Sequence, residues 1–411
     1  MKKIKGGVTA AKGFEAASAA AGIKYQGRTD MALVYSQKPC EAAGTFTTNV
    51  VKAAPVKWDK KVVESNVKPQ VVVINSGIAN ACTGETGIEC CKEVAKEAAK
   101  ALETEMESVL IGSTGVIGMQ LPVEKMKDGV HLLAKEKAEG LEMGNLAAKA
   151  IMTTDTKEKE AAVTIELDGT TVTIGGMAKG SGMIHPNMCT MLAFITTDAV
   201  ISKEALQAAL SSDVEETYNM ISVDGDTSTN DTVLLLANQM AGNKEIQKGT
   251  KEFEIFKEAL HEVNTTLAKK IAGDGEGATA LLEVTVQGAE TKQQAKTLAK
   301  SVICSNLTKT AIAGHDANWG RILCAMGYAG VEFEPEKTDL FIQSSAGEMK
   351  LVENGMALDY SEEKATEILS QTEVSIVADI KLGAEKATAW GCDLTHGYID
   401  INADYRSYED E

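Results

Sequence analysis

Apolar positions along this chain follow two spacings, and each predicts one kind of element. Spacing of three and four residues predicts amphipathic helices over 88–102, 123–137, 203–210, 251–271, 291–301 and 361–370. Compact runs rich in β-branched residues predict strands over 31–35, 70–74, 108–111, 163–167, 171–174, 191–196, 232–237, 281–287, 374–381 and 398–402. Asp168-Gly169 between two of them is a hairpin signal. Several strands are almost unbroken in apolar residues, so both faces of their sheets are expected to be covered. Helices and strands come in mixed order without strict βαβα alternation, which predicts a layered α+β body and argues against a doubly wound sheet. No internal repeat or low-complexity block interrupts the pattern, and with only 6 prolines no linker marks a domain boundary. The most polar connection is 237–249.

At 411 residues, 44% hydrophobic and 24% charged, the chain can bury a large core. Aromatic residues make up 4%, so the interior is expected to use small and aliphatic side chains, with little surface for stacking nucleic-acid bases. A formal charge of −18 argues against a phosphate backbone or an anionic membrane as partner, although a pocket can be locally cationic. The 8 cysteines include no CxxC pair and read as reduced, mostly buried small hydrophobes. Cys90-Cys91 has the wrong spacing for zinc, and no metal site is expected. The basic start Met1-Lys-Lys-Ile-Lys5 is not followed by an apolar stretch of roughly 7 to 15 residues. No run approaches about 18 apolar residues either, so a cytoplasmic location is the default expectation.

Candidate chemistry concentrates in Lys179-Gly-Ser-Gly-Met-Ile-His-Pro-Asn-Met-Cys-Thr190. Gly180, Ser181 and Gly182 give flexible backbone, Pro186-Asn187 is a turn, and Thr190 opens the apolar run Met191-Leu-Ala-Phe-Ile195. In mid-chain a threonine hydroxyl has no base of its own. At a new N-terminus, its own α-amine has a reference pKa of about 7.7–8.0 and can take the hydroxyl proton. Autocleavage at Cys189-Thr190 would use the same Oγ, by attack on the Cys189 carbonyl, N-to-O acyl shift and ester hydrolysis. The rival nucleophile is Cys189 activated by His185, against the reading of Cys189 as a small residue tolerated beside the scissile bond.

Five further segments are polar or glycine-rich. Gly112-Ser-Thr114-Gly115-Val-Ile-Gly118 follows a predicted strand and can either offer donors to an oxyanion or merely connect to the next helix. Gly273-Asp-Gly-Glu276-Gly lacks the ending of a phosphate loop; its acids suit a cationic group, or else sit solvated at a helix C-cap. Asp224-Gly-Asp226-Thr-Ser-Thr-Asn230 is no calcium loop, because Leu235 stands where a bidentate Glu is needed, and reads as a polar loop near the site or an Asx-turn cluster. Gly314-His-Asp-Ala-Asn-Trp-Gly-Arg321 and Asn75-Ser-Gly-Ile-Ala-Asn80 read as structural or site-lining loops.

Together these segments closely resemble the ornithine acetyltransferase / glutamate N-acetyltransferase family of arginine biosynthesis, essentially end to end. The resemblance also covers Gly6-Gly-Val-Thr-Ala10, Ile151-Met-Thr-Thr-Asp155, 274–279 and Ile401-Asn-Ala-Asp-Tyr405, and is most specific over 179–192. It implies that Thr190 is both self-cleavage nucleophile and acetyl carrier, with Thr114 and Gly115 as the oxyanion pair. Substrate contacts would fall to Thr153, Lys179, Thr190, Glu276, Asn402 and Ser407. It also implies a layered α/β sandwich similar to N-terminal-nucleophile hydrolases but differently connected. The mature form would pair an α chain, 1–189, with a β chain, 190–411, usually as a heterotetramer of two of each. No cofactor is implied, and some members use acetyl-CoA as a donor. The departures are Cys189 where Ala is common, which bears on cleavage rate, Ala280 where Lys is frequent, and Ser407 where Thr is also found.

The chemistry of the implied reaction suits these residues. N-acetylornithine brings a carboxylate for Lys179 and an ammonium for Glu276, and the acetyl group would pass through Thr190 to glutamate in ping-pong fashion. The alternative is a self-processing amidase or aminopeptidase of similar fold, in which water replaces glutamate; the 179–192 and 401–407 segments favour the transferase. A non-enzymatic binding protein would remain one intact polypeptide of 43.5 kDa.

Overall fold

The computed structural model describes residues 1–185 and 191–403. The chain forms two compact units, one of Met1–Gly180, Pro186–Asn219 and Thr227–Leu267, the other of Ser181–His185, Met220–Asp226 and Ala268–Glu411. Each crossing falls in a short connection or inside an element, so a linker signal never had a place in the sequence.

The first unit holds strands β1 (Lys2–Ile4), β2 (Phe14–Ala19), β3 (Met31–Ser36), β4 (Glu41–Phe46), β5 (Val71–Asn75), β6 (Val109–Ser113), β7 (Lys159–Leu167), β8 (Thr170–Lys179), β9 (Leu192–Thr197) and β10 (Thr232–Ala237). Its helices are α1 (Ala54–Glu64), α2 (Gly84–Leu102), α3 (Val123–Glu136), α4 (Leu141–Ala150), α5 (Lys203–Val214) and most of α6 (Lys251–Gly273). Six strands pair in the order β1-β7-β8-β9-β10-β4 and four in the order β2-β3-β5-β6. The pleat of the smaller sheet sorts its side chains cleanly. Ala32, Val34, Val72, Ile74 and Leu110 meet Met177, Leu192, Phe194, Leu234 and Leu236 of the larger sheet in one core. The alternate residues Met31, Leu33, Val71, Val73, Val109 and Ile111 pack under α2 and α3 in another. On the far face of the larger sheet, Gly176 leaves room for Ile195 and for Leu267 of α6. This unit is therefore a helix–sheet–sheet–helix sandwich, and the layered α+β expectation holds.

The second unit contains β11 (Leu281–Ala289), β12 (Asp339–Ser344), β13 (Gly347–Glu353), β14 (Met356–Ala357), β15 (Glu373–Asp379) and β16 (Glu385–Cys392). With them come α7 (Lys292–Cys304), α8 (Asn306–Ala313), α9 (Trp319–Gly327), α10 (Glu362–Leu369) and α11 (His396–Ala403). The strands form one sheet in the order β14-β13-β12-β15-β11-β16, with α7 against β11 and β16 and α10 against β12.

Every helix predicted from periodicity is present, and so is every predicted strand but one. The exception is 398–402, which lies within α11. The run Tyr-Ile-Asp-Ile-Asn alternates like a strand but is too short to settle its own period. Thr395 Oγ1 accepts the Gly397 N–H at its start, and Asn402 Nδ2 donates to the Tyr398 carbonyl one turn back, which makes it a helix. The 237–249 connection stays inside the first unit. The expected covalent boundary at 189/190 is not a boundary of either unit, and the shared core draws on residues before it, such as Met177, and after it, such as Leu192.

Phe194 spans the sandwich, 2% exposed, with its ring tip against Gly112 of β6. Truncation to alanine empties the contact between the sheets, so Phe194→Ala is expected to lower unfolding free energy by about 3–5 kcal/mol in urea titrations.

Candidate active site

The strand after Thr190 is held on both edges. Leu192 opposes Lys179 in the antiparallel ladder to β8 and Thr232 in the parallel ladder to β10, and the Thr232 N–H donates to the Met191 carbonyl at 2.9 Å. Thr190, Cys189 and Ser407 lie outside the described residues.

Lys179 ends β8 and is 7% exposed. Its ammonium donates to Thr153 Oγ1 at 2.8 Å and stands 3.7 Å from Asp155 Oδ2. Asp155 is the hub of this corner: Oδ1 accepts from Lys159 Nζ and from the Gly180 N–H, both at 2.7 Å, and Oδ2 from the Thr153 N–H at 3.1 Å. Burial alone would push the Asp155 carboxyl up; Lys179, Lys159 and the Gly180 N–H outweigh it and hold it well below the usual carboxylate range. Two buried ammonium groups thus face one carboxylate. Asp155 thereby fixes the end of β8, with the Lys179 ammonium held beside the Thr153 hydroxyl.

The loop after β6 closes against the segment after β5. The Thr114 N–H donates to the Asn75 carbonyl, the Val116 N–H to the Gly77 carbonyl and the Ala79 N–H to the Val116 carbonyl. Gly115 sits at φ +127°, and a Cβ there would stand 2.2 Å from the Gly77 carbonyl carbon, so only glycine fits. Neither the Gly115 N–H nor the Thr114 hydroxyl has a hydrogen-bond partner among the described residues. Asn230 ties this loop to the sheet: its Nδ2 donates to the Ala79 and Ser113 carbonyls at 2.6 and 2.8 Å, two residues before Thr232. The loop is therefore fixed to the strand end that pairs with the start of β9.

In the second unit, Glu276 is 7% exposed and accepts from Asn402 Nδ2 at 2.7 Å. A Cβ on Gly182 would fall about 2.3 Å from the Glu276 carboxylate, so the glycine-rich stretch permits that approach. The Glu276 N–H donates to the Ser181 carbonyl at 3.0 Å, and Asp224 accepts from the N–H groups of Met183 and Ile184. Burial pushes the Asp224 carboxyl up, against these hydrogen bonds. His185 Nδ1 lies 3.1 Å from Ser222 Oγ and 3.5 Å from Cys304 Sγ. Burial, then Lys300, pushes the imidazole down to about 4, and burial pushes the Cys304 thiol up, so this is a neutral pair and no thiolate–imidazolium couple.

Of the residues singled out from sequence, Thr153 and Lys179 meet directly, as do Glu276 and Asn402. Asp224 forms the expected Asx-turn to the Asp226 N–H. Asn318 caps α9, which makes the 314–321 loop structural. Sequence reasoning assigned no role to Asp155 or Lys159, and placed Asn230 only within a polar loop near the site or an Asx-turn cluster. The Asp155–Lys159 spacing of four was visible, but it lies on a turn entering β7, where no helical spacing rule applies. No group of three or more His, Cys, Asp or Glu among the described residues could hold a metal ion, and no helix there is long and apolar enough to cross a membrane.

A glycine loop with unpaired donors, fixed beside the strand that follows a threonine, and a buried lysine held against a threonine hydroxyl are the parts of an acyl-transfer enzyme on a mixed α/β scaffold. The ArgJ family model matches residues 15–407. An arginine biosynthesis bifunctional protein of Thermotoga neapolitana is 50% identical over 398 residues, covering 96% of this chain and 99% of that one. Its counterpart from Caldanaerobacter subterraneus subsp. tengcongensis is 51% identical over 407 residues, covering 99% and 100%. The crystal structure of the corresponding Bacillus halodurans protein is 46% identical with a TM-score of 0.50, covering 53% of this chain and 100% of that chain. The chain belongs to the ArgJ family, acetyltransferases of arginine biosynthesis, as its sequence resemblance implied.

Asp155→Asn removes the carboxylate that both buried lysines face and is expected to cost about 3–5 kcal/mol at neutral pH. Because the folded pKa is depressed, Asp155 contributes stability that is present above the unfolded value of about 3.9 and is lost as pH falls through the lower, folded value. Denaturant titrations at stepped pH should therefore show the gap between wild type and variant narrowing below about pH 4. Thr114→Val, which keeps shape and drops the hydroxyl, is expected to lower kcat about 10²–10³-fold with KM nearly unchanged.

Proposed function

We propose that the protein cuts itself between Cys189 and Thr190 and then moves the acetyl group of N2-acetyl-L-ornithine to L-glutamate through an acetyl ester on Thr190. The carrying observation is the pair of unpaired donors, the Gly115 N–H and the Thr114 hydroxyl, on a loop tied by Asn230 to the start of β9. The freed α-amine of Thr190 takes the Oγ proton as Oγ attacks the acetamide carbonyl. The oxyanion is stabilised by the Thr114-Gly115 pair, the C–N bond breaks, and the protonated amine leaves as ornithine. The glutamate amine then attacks the ester carbonyl, and the C–O bond breaks to restore Thr190.

Lys179, with Thr153 oriented beside it, takes the substrate carboxylate in this reading, and Glu276 with Asn402 takes the ammonium; Ser407 is a further contact. No cofactor is needed, and acetyl-CoA enters as a second acetyl donor, in keeping with the word "bifunctional" in the names of the relatives. The mature form is a heterotetramer of two α (1–189) and two β (190–411) chains working in the cytoplasm. Division into two chains is supported by the Bacillus halodurans crystal chain, whose full length matches 53% of this one, close to the share of residues 190–411.

Intact mass and N-terminal sequencing of the purified protein are expected to give two chains, the second beginning Thr190-Met-Leu-Ala. Thr190→Ala is expected to stay uncut and inactive. Ornithine release from N-acetylornithine is expected to require glutamate; release at the same rate without it would mean an amidase. Fully active, unbroken polypeptide would refute the processing step.

A further inference from the structure

Helix α1 is a cationic strip on an acidic protein. Lys57, Lys60 and Lys61 lie exposed on it and Lys52, just before it, is half-buried, whereas its Asp59 is buried with the carboxyl pushed up by burial. Between α1, the edge strand β4 and α5 lies a cleft of about 910 Å³, within the size range of small-molecule sites. Its cationic lining is Lys52, Lys60 and Lys203 and its apolar floor includes Phe46 and Val63.

Glu64 and Glu204 also line the cleft, so its charge balance is one positive. Lys60 is 3.6 Å from Glu64 with both side chains more than half exposed, a pair that water weakens. Lys203 donates to the Ser65 carbonyl, and the Lys52 ammonium has no partner among the described residues. A peptide strand is a poor occupant, because Gln207 already bonds both the N–H and the carbonyl of Gly44 on the open edge of β4, each at 3.1 Å. A flat ring over Phe46 with phosphates among the lysines fits the lining better.

The cleft opens toward the acyl-transfer end of the sheet. Thr232 pairs with Phe46 on one side and Leu192 on the other, so Phe46 and Leu192 are two strand spacings apart, roughly 10 Å. Thr47, also in the lining, donates its N–H to the Asp231 carbonyl. An extended pantetheine arm exceeds that span.

We propose that this cleft holds the 3′-phospho-ADP end of acetyl-CoA. The inference rests on the two-donor form of the proposed function. The thioester carbonyl meets Thr190 Oγ, the C–S bond breaks, the sulfur leaves as the thiol with the proton taken from Oγ, and the same acetyl ester results. N-acetylornithine has no part that reaches the cleft, so the two donors share the nucleophile and differ in what binds the leaving group.

The test is steady-state kinetics of the mature protein with each donor, alongside titration with adenosine 3′,5′-bisphosphate. Lys52→Ala/Lys60→Ala is expected to raise KM for acetyl-CoA about tenfold or more, with KM for N-acetylornithine unchanged and Lys52→Arg/Lys60→Arg close to wild type. Adenosine 3′,5′-bisphosphate is expected to bind the wild type, to bind the Ala variant more weakly, and to compete with acetyl-CoA but not with N-acetylornithine. Inorganic phosphate at equal concentration is expected not to compete. An unchanged KM for acetyl-CoA, equal losses with both donors, or no binding of the bisphosphate would overturn the proposal. Transfer from N-acetylornithine with none from acetyl-CoA would also overturn it while leaving the transferase reading intact; inactivity with both donors would remove that reading as well.

Discussion

A strand that begins next to a bond to be broken has to be held by something other than that bond. β9 is held by ladders on both sides: β8, which precedes it in sequence, runs antiparallel to it through Lys179–Leu192, and β10, which follows it, runs parallel through Thr232–Leu192. Its inward residues Leu192 and Phe194 are locked into the core between the two sheets. Cleavage just before Thr190 would leave all of these contacts in place. The constraint also explains why the two chains would not separate: the core they share is assembled from residues on both sides of the cut, and removing either half would expose it.

The same architecture decides where charge can sit. Lys179 is the last residue of β8, so its position is set by the ladder, and Asp155 fixes its ammonium from the turn that enters β7. Burial makes that fixing strict, because an ammonium that leaves water must find oxygen partners inside the protein. The corner thus holds its charges on partners within the protein, whereas the loop after β6 is the complementary case, with two donors that have no partner among the described residues. Both are preorganised, and that is what lets electrostatic stabilisation act without reorganisation during the reaction.

The elements legible in the sequence were those whose apolar pattern was strong enough to stand alone. α2, α3 and α6 show the stripe over many turns, and β5 and β10 are nearly pure aliphatic runs. α1 was missed because the buried Asp59, accepting from the Ile111 N–H, interrupts its stripe and a proline opens it. β2 and β4 were missed because Phe-Glu-Ala-Ala-Ser-Ala and Glu-Ala-Ala-Gly-Thr-Phe have little β propensity; a crowded sandwich selects small residues there for reasons of space. At the site, residue types were legible and partnerships were not. Thr153 and Lys179 are twenty-six residues apart, Glu276 and Asn402 far more, and only the fold says which hydroxyl meets which ammonium. Asn230 is the clearest case, since its role lies wholly in two carbonyls of remote segments.

A covalent acetyl-enzyme separates the demands of donor and acceptor in time. Once the acetyl group is on a threonine, the acceptor needs no knowledge of where it came from, so a second donor can be added without redesigning the acceptor site. What a second donor needs is a place for its own leaving group, and that place must lie outside a pocket sized for an amino acid. The strand order supplies it. β10 lies between β9 and β4, so a groove along β4 is close enough for a flexible arm to reach the nucleophile's end of the sheet and too far for an amino acid to occupy both. The cleft's own lining also answers how a protein with a net charge of −18 could attract a polyanion at all: the repulsion is screened beyond about a Debye length, and within that distance the charges that matter are Lys52, Lys60 and Lys203 against Glu64 and Glu204.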